Sequence, residues 1–347
     1  MQHSVSEYRL RLGWSQQQLA ERSGLSRTAI SAIETGRVVP STAAALSLAH
    51  AFNCSVETLF SFRQTPLQPV KWAWKPSRKS GRFWQARVRG KTLLFPSEWT
   101  LTGTLPHTGI YQDNQIQWTR SNDPEKTLVI AGCDPAIGLL AARIHAMSNF
   151  RVLPLTRSSR QAVELLEQGL IHVAGLHLSA DHNQNENHTM AKSIMNEEFR
   201  LLRVAQWEEG LALDPSIKAG SVRAVLTEGL RWVGREEGSG SRQCLDRILG
   251  RRRKPKGYHH QALNHHGVVE AIRSGLAQAG VCVRLPAEEQ GLHFLKVRKE
   301  NYDFCFPAKT ESDPVIRTLL SAVRSRTYQK DLEQLPGYHI NQTGELQ

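Results

Sequence analysis

A chain of 347 residues is long enough for two or three domains with cores of their own, and no apolar run approaches the roughly 18 residues of a helical membrane span. The formal charge of +12 favours a polyanionic partner, and it is uneven: residues 64–126 hold ten Lys or Arg against four Asp or Glu. The five cysteines, Cys54, Cys133, Cys244, Cys282 and Cys305, are odd in number and include no C-x-x-C. With no apolar signal core at the N-terminus, they point away from a secreted disulfide scaffold and towards free thiols in a reducing cytoplasm.

Taken in order, Val5 to Leu12 reads as a first helix with Val5, Tyr8 and Leu12 on one stripe. SQQQLAERSGLSRTAISAIETGR, Ser15 to Arg37, then reads as two short helices. Leu19, Ala20, Ile30 and Ile33 are the apolar positions, Gly24 supplies the reversal, Ser26 is the second N-cap and Gly36 the stop. The second helix offers Arg27, Thr28, Ser31 and Arg37 to bases or phosphates. The pattern Gln-x-x-Leu-Ala, Gly-Leu-Ser, Ile-x-x-Ile-Glu-x-Gly-Arg resembles the helix-turn-helix of the phage-repressor-like (XRE-type) bacterial regulators. The likeness runs over about residues 4 to 62, with Ser41-Thr42 opening a fourth helix and 53–60 closing the domain. It implies that Gln16 touches a phosphate and that Arg27, Thr28 and Ser31 face the major groove of a double-stranded operator. The first domain is set at 1–63.

Pro66 and Pro69 break the chain into a linker. KWAWKP, RFWQARVRGKTLLFP and EWTLTGTLP read as strands of a β-rich basic connector, 64–126. Its Lys and Arg residues alternate with Trp72, Trp74, Phe83, Trp84 and Phe95, which suits either stacking on nucleic acid or packing of the aromatics onto a neighbouring domain.

From Thr127 the strands TLVIAGCD, FRVLPLTRSS and HVAGLHL alternate with the helices PAIGLLAARIHAM and RQAVELLEQGL, which predicts a parallel sheet. The polar stretch 179–192 reads as an exposed loop and FRLLRVAQWEEGLALDP as a long strand leaving this lobe. A second lobe, about 214–284, follows: helix, strand RWVG, a Gly/Ser loop, another helix, the basic run RRRKPKG, and a helix from Val268 to Ser274. LHFLKVRKENYDFCFP reads as paired strands returning to the first lobe, Asp313 as the N-cap of a last helix, and 331–347 as a tail, loose after Leu335. The fold class is thus multidomain: an all-α helix-turn-helix bundle, the β-rich connector and a two-lobed α/β domain over 127–330.

The loop from Arg235 to Arg242 joins a strand to a helix and carries Ser239, Gly240 and Ser241. Backbone N–H groups and the positive end of a helix suit an anion there, although the spacing is not that of a P-loop. The runs 131–138 and 173–178, this loop, and 268–283 resemble the periplasmic-binding-protein-like superfamily in its soluble, cytoplasmic branch, related to molybdate- and tungstate-binding proteins and often fused to helix-turn-helix domains. The resemblance implies a ligand between lobes at strand C-termini and helix N-termini, singling out Asp134, Ser158, Ser159, His177, Ser239, Gly240, Ser241 and Arg242. Asp134 and Ser159 also suit helix caps, and His177 a satisfied strand end. A carboxylate at Asp134 leaves room for an organic anion with a hydroxyl or amine, such as a pterin-like cofactor or precursor. His259, His260, His265 and His266 lie beside RRRK and read as a solvated basic loop, not a metal set; no metal site and no cofactor are expected. No G-x-S-x-G elbow or other nucleophile–base set is legible.

The sequence therefore describes a cytoplasmic, dimer-forming regulator, not an enzyme, that binds operator DNA and senses a small anion, molybdate or tungstate by resemblance. The competing description is an enzyme or molybdenum-cofactor-related binding protein whose DNA-binding domain targets or autoregulates it.

Overall fold

Ser15 accepts the N–H of Gln18 at 3.2 Å while the Gln18 side chain takes the N–H of Ser15, a reciprocal cap that fixes where a helix begins. In the computed structural model the described residues are 5–60, 71–113, 115–119, 123–178, 186–250 and 260–347. The proline linker, the RRRK run, His259 and part of the expected loop at 179–192 fall outside them. Internal contacts divide the chain into two units, residues 1–70 and 71–347.

The first unit holds α1 (Val5–Arg11), α2 (Gln16–Ser23), α3 (Arg27–Glu34), α4 (Thr42–Phe52) and α5 (Val56–Leu59). Gly24 turns the chain between α2 and α3 with φ 68°, and Ser26 caps α3 through the Ala29 N–H. Val5, Leu19, Ile30, Ile33, Leu48 and Phe52 form the shared core. Leu12 does not join it: α1 ends at Arg11, Gly13 turns the chain with φ 71°, and Leu12 is left 48% exposed.

The second unit opens with β1 (Lys71–Trp72), β2 (Ser80–Val88), β3 (Lys91–Pro96), β4 (Gly109–Gln112) and β5 (Gln115–Trp118), paired in the order β1-β3-β2-β4-β5. Trp84, Ala86, Val88, Leu93 and Phe95 are buried against Val129, Leu153 and Ala162 of the α/β region. Phe83 is buried too, so Phe83, Trp84 and Phe95 are packing groups, while Trp72 and Trp74 are half-buried. EWTLTGTLP forms no strand; Thr100 closes a turn onto Gly103, whose φ of 82° ends extension there.

The α/β region runs β6 (Thr127–Gly132), α6 (Ile137–Met147), β7 (Arg151–Thr156), α7 (Ser159–Glu167), β8 (Val173–Leu176), α8 (Glu186–Ile194), β9 (Phe199–Leu213), α9 (Val222–Val225), β10 (Trp232–Arg235), α10 (Gly240–Leu249), β11 (His260–Ala262), α11 (His265–Arg273), β12 (Ala279–Val283), α12 (Arg284–Glu289), β13 (His293–Pro307), α13 (Pro314–Arg324), α14 (Arg326–Glu333) and β14 (Tyr338–His339). The strand order is β11-β10-β12-β9-β13-β8-β6-β7, with β14 also on β9. Parallel pairs β6–β7 and β6–β8 build the first lobe, and parallel pairs β10–β11 and β10–β12 build the second. The two 15-residue strands β9 and β13 pair antiparallel and run through both lobes.

Three expectations need correction. β13 is one strand, not two, because KVRKENY contains no Gly or Pro to turn it; register shifts at Lys296/Arg298 and Tyr302/Asp303 absorb the irregularity. The end of the chain is not loose: Tyr338 and His339 pair with Trp207 and Gln206, and the Gln347 N–H bonds the carbonyl of Leu201. Asp313 occupies the cap position of α13 but its side chain makes no capping bond; Pro314 at the first helical position fixes the start instead.

Candidate functional site

On α3, Arg27 and Thr28 are exposed and Ser31 is half-buried, and Arg37, in the bend after the helix, is exposed. Ser26 and Thr28 hydroxyls lie 2.9 Å apart at the start of the helix. Gln16, expected at a phosphate, donates to Glu34 at 2.9 Å, a carboxylate that also receives Arg9 at 2.7 Å. The exposed face of α3 thus remains open to a partner while Gln16 is tied to the domain itself.

In the second unit the residues singled out in the sequence gather where strand ends meet helix starts. Ser158 caps α7 through Gln161, and Ser159 accepts the backbone N–H of His177 at 3.1 Å. Ser239 caps α10 by accepting from Arg242 and donates to the carbonyl of Glu236 at 2.9 Å. Ser241 donates to Glu209 at 2.6 Å. Arg242 pairs with Asp246 at 3.1 Å and donates to the carbonyl of Arg235. Gly240 lies so close to the first lobe that a Cβ there would stand 2.5 Å from the carbonyl oxygen of His177.

Asp134 is two residues ahead of the α6 cap, which is Ala136, so the expected cap role is corrected to an Asx-type bond onto the Ala136 N–H at 2.9 Å. The same carboxyl oxygen receives the Tyr338 hydroxyl at 2.6 Å. Burial pushes its pKa up from 3.8 to about 6, against the pull of these two bonds. A cavity of about 10 Å³ beside Asp134 and Tyr302 has room for one water, not an oxyanion.

The residues that organise the centre carry no local sequence signal. Arg298 on β13 donates to Glu209 at 2.9 Å, and to Glu300, whose other oxygen lies 3.0 Å from His177 Nδ1. Trp207 Nε1 also donates to Glu300. His177 Nε2 is 3.0 Å from Cys133 Sγ, and His265 Nε2 approaches the same sulfur at 3.7 Å from the second lobe. Cys133, His177 and Glu300 are a nucleophile–base–carboxylate set, which corrects the expectation that none exists. They sit 44 and 123 residues apart along the chain, so no local motif could announce them. His265 is buried in the first turn of α11, not in a solvated loop, because Asn264 caps that helix earlier than expected.

Electrostatics separates the two rings. Burial pulls His177 down, but the Cys133 sulfur and Glu300 outweigh it and hold its pKa well above the ordinary value. Burial and the charges of Arg235 and His177 hold His265 well below it. Cys133, His177 and His265 offer three ligand atoms within 4.8 Å of one another. The tautomer opposes a metal: the Val283 N–H points at His265 Nδ1 at 3.4 Å, which leaves the proton of the neutral ring on Nε2, the atom a cation would need.

Arg235, which ends β10, is buried with its Nε and Nη1 unpartnered among the described residues. Its Nη2 reaches the Leu263 carbonyl and Glu236. An unsatisfied buried guanidinium costs free energy that an anion would recover.

Residues 141–324 match the family model of the PBP superfamily domain, and residues 5–59 match that of the helix-turn-helix. The chain is 25% identical over 234 residues to the uncharacterized protein YvgK of Bacillus subtilis (strain 168), covering 65% of this chain and 74% of that one. Over 60 residues it is 42% identical to the uncharacterized HTH-type transcriptional regulator YgzD of the same organism, covering 17% of this chain and 91% of that one. Among solved structures it resembles the tungstate ABC transporter from Geobacter sulfurreducens at a TM-score of 0.44 and 16% identity, covering 59% of this chain and 97% of that one.

Proposed function

The chain belongs to the PBP superfamily, and we propose that it is a DNA-binding transcriptional regulator whose two-lobed domain closes on a small anion and thereby alters operator affinity. The observation that carries this is Arg235: a buried cation with two nitrogens unpartnered among the described residues, at the strand end just ahead of the Ser239–Arg242 helix start. Molybdate and tungstate are the first ligands to test, on the family resemblance drawn from the sequence. The protein works in the cytoplasm as a homodimer on a two-fold operator, because one α3 covers few base pairs and paired domains read half-sites about 34 Å apart. No described helix is long and apolar enough to cross a membrane.

Calorimetry with molybdate, tungstate, sulfate and phosphate tests the ligand. Arg235→Gln is expected to weaken the binding anion at least about tenfold, since a charge-assisted bond is removed. No heat with any of the four on the wild type removes the oxyanion and leaves an organic anion to find. Coupling is reciprocal, so an anion that weakens DNA binding is weakened equally by DNA. For the DNA-binding domain, Arg27→Ala with Thr28→Ala is expected to cost about 1–3 kcal/mol for each base no longer read. An operator gel shift unchanged in this double variant would show that α3 does not read the groove.

A further inference from the structure

We propose that Cys133 is a modification site: a thiol assembled with His177 and Glu300, shielded by closure of the lobes and oxidised by small hydroperoxides when they open. The hydrogen bonds assign the protons. His265 takes the Val283 N–H at Nδ1, so its Nε2 proton points at the sulfur. His177 gives its Nδ1 proton to Glu300 at 3.0 Å, and its Nε2 lies 3.0 Å from the sulfur. Trp207 and Arg298 fix Glu300 from behind. Two ring nitrogens thus converge on one sulfur, with His177 Nε2 placed to take its proton during attack. The other described buried cysteines lack this: burial pushes Cys244, Cys282 and Cys305 up, and neighbouring carboxylates push the same way.

The partition between lobes matters. Cys133 and His177 belong to the first lobe and Glu300 to a strand shared by both, whereas His265 and Gly240 belong to the second. Opening therefore lifts the cover and leaves the triad whole. His177 Nε2 takes the thiol proton as the sulfur attacks the hydroxyl oxygen of the hydroperoxide, the O–O bond breaks, and the departing alkoxide or hydroxide takes that proton from Nε2. The products are a sulfenic acid, an alcohol or water, and a neutral His177; sulfur is oxidised and the peroxide reduced. The added oxygen has no room under His265, so oxidation holds the lobes apart. This does not depend on the anion or on DNA, since it is read on the free protein.

The test is hydrogen peroxide on the full-length protein at pH 7, with a dimedone-type trap and mass spectrometry on each cysteine. In the wild type, Cys133 is expected to label at least about tenfold faster than Cys244, Cys282 or Cys305, a comparison within one sample that needs no variant. His177→Asn should slow Cys133 about tenfold, and Gly240→Ala, whose new Cβ meets His177, should speed it about as much. Equal labelling of all four cysteines overturns the proposal. So does one equivalent of bound Zn(II) that protects Cys133, which would make the cluster a metal site.

Discussion

Arg298→Met is expected to lower the melting temperature of the 71–347 unit by on the order of 10 °C, a loss of about 3–5 kcal/mol. Arg298 is the cation between Glu209 and Glu300, both of which are buried. Methionine fills similar space and removes the charge, leaving Glu209 with the Ser241 hydroxyl, the Cys244 thiol and Glu300 among its described partners and no cation beside it, and Glu300 with His177 and Trp207. Even with Arg298 present, burial and the charge of Glu300 raise the pKa of Glu209. Without it that pKa rises further, and a carboxyl more basic in the folded than the unfolded state contributes stability that is lost as pH rises. The deficit should therefore be largest at pH 8 and shrink towards pH 5. Thermal melts across that range check it, and a variant melting within a degree of the wild type at pH 8 would mean the three charges do not form a unit. The double variant Arg298→Met with Glu209→Gln should recover part of the loss.

Asp134→Asn is expected to remove a pH slope. The Asp134 carboxyl is buried, and its pKa is raised from 3.8 to about 6. The folded state binds this proton more tightly, so the contribution is complete below about pH 4 and lost as pH rises through 6, on the order of 3 kcal/mol in all. Asparagine can still accept from Ala136 and Tyr338 through its oxygen, though its amide hydrogens need acceptors. The difference in unfolding free energy between pH 4 and pH 8 should fall in the variant whatever that fixed cost is. Denaturant titrations at the two pH values measure it; equal slopes would place Asp134 in contact with water.

The N-terminal domain was legible because its signals are local: apolar residues at helical spacing, Gly24 at a positive φ and serine caps within a few residues of what they cap. The alternation of strands and helices was legible for the same reason. The Ser239–Arg242 loop was visible as a helix start, but which cation remains unpartnered was not: Arg242 finds Asp246 one turn on, and Arg235 is stranded by burial that only the sheet creates. The Cys133, His177, Glu300 and His265 cluster joins four distant segments. Its one sequence trace lay in charged residues inside strands: Glu208-Glu209 within an apolar run, and Arg298, Glu300 and Tyr302 alternating along one face of β13.

The β9–β13 ribbon has a mechanical consequence. Any rotation of one lobe against the other is a torsion of this ribbon, so Glu209, Arg298 and Glu300 lie near the axis and are displaced little. Ser241 and His265, at the tips of α10 and α11, are the second-lobe groups that meet Glu209 and Cys133. Substitutions on the axis should change how stiffly the lobes turn, whereas substitutions at the tips should change where the turning stops.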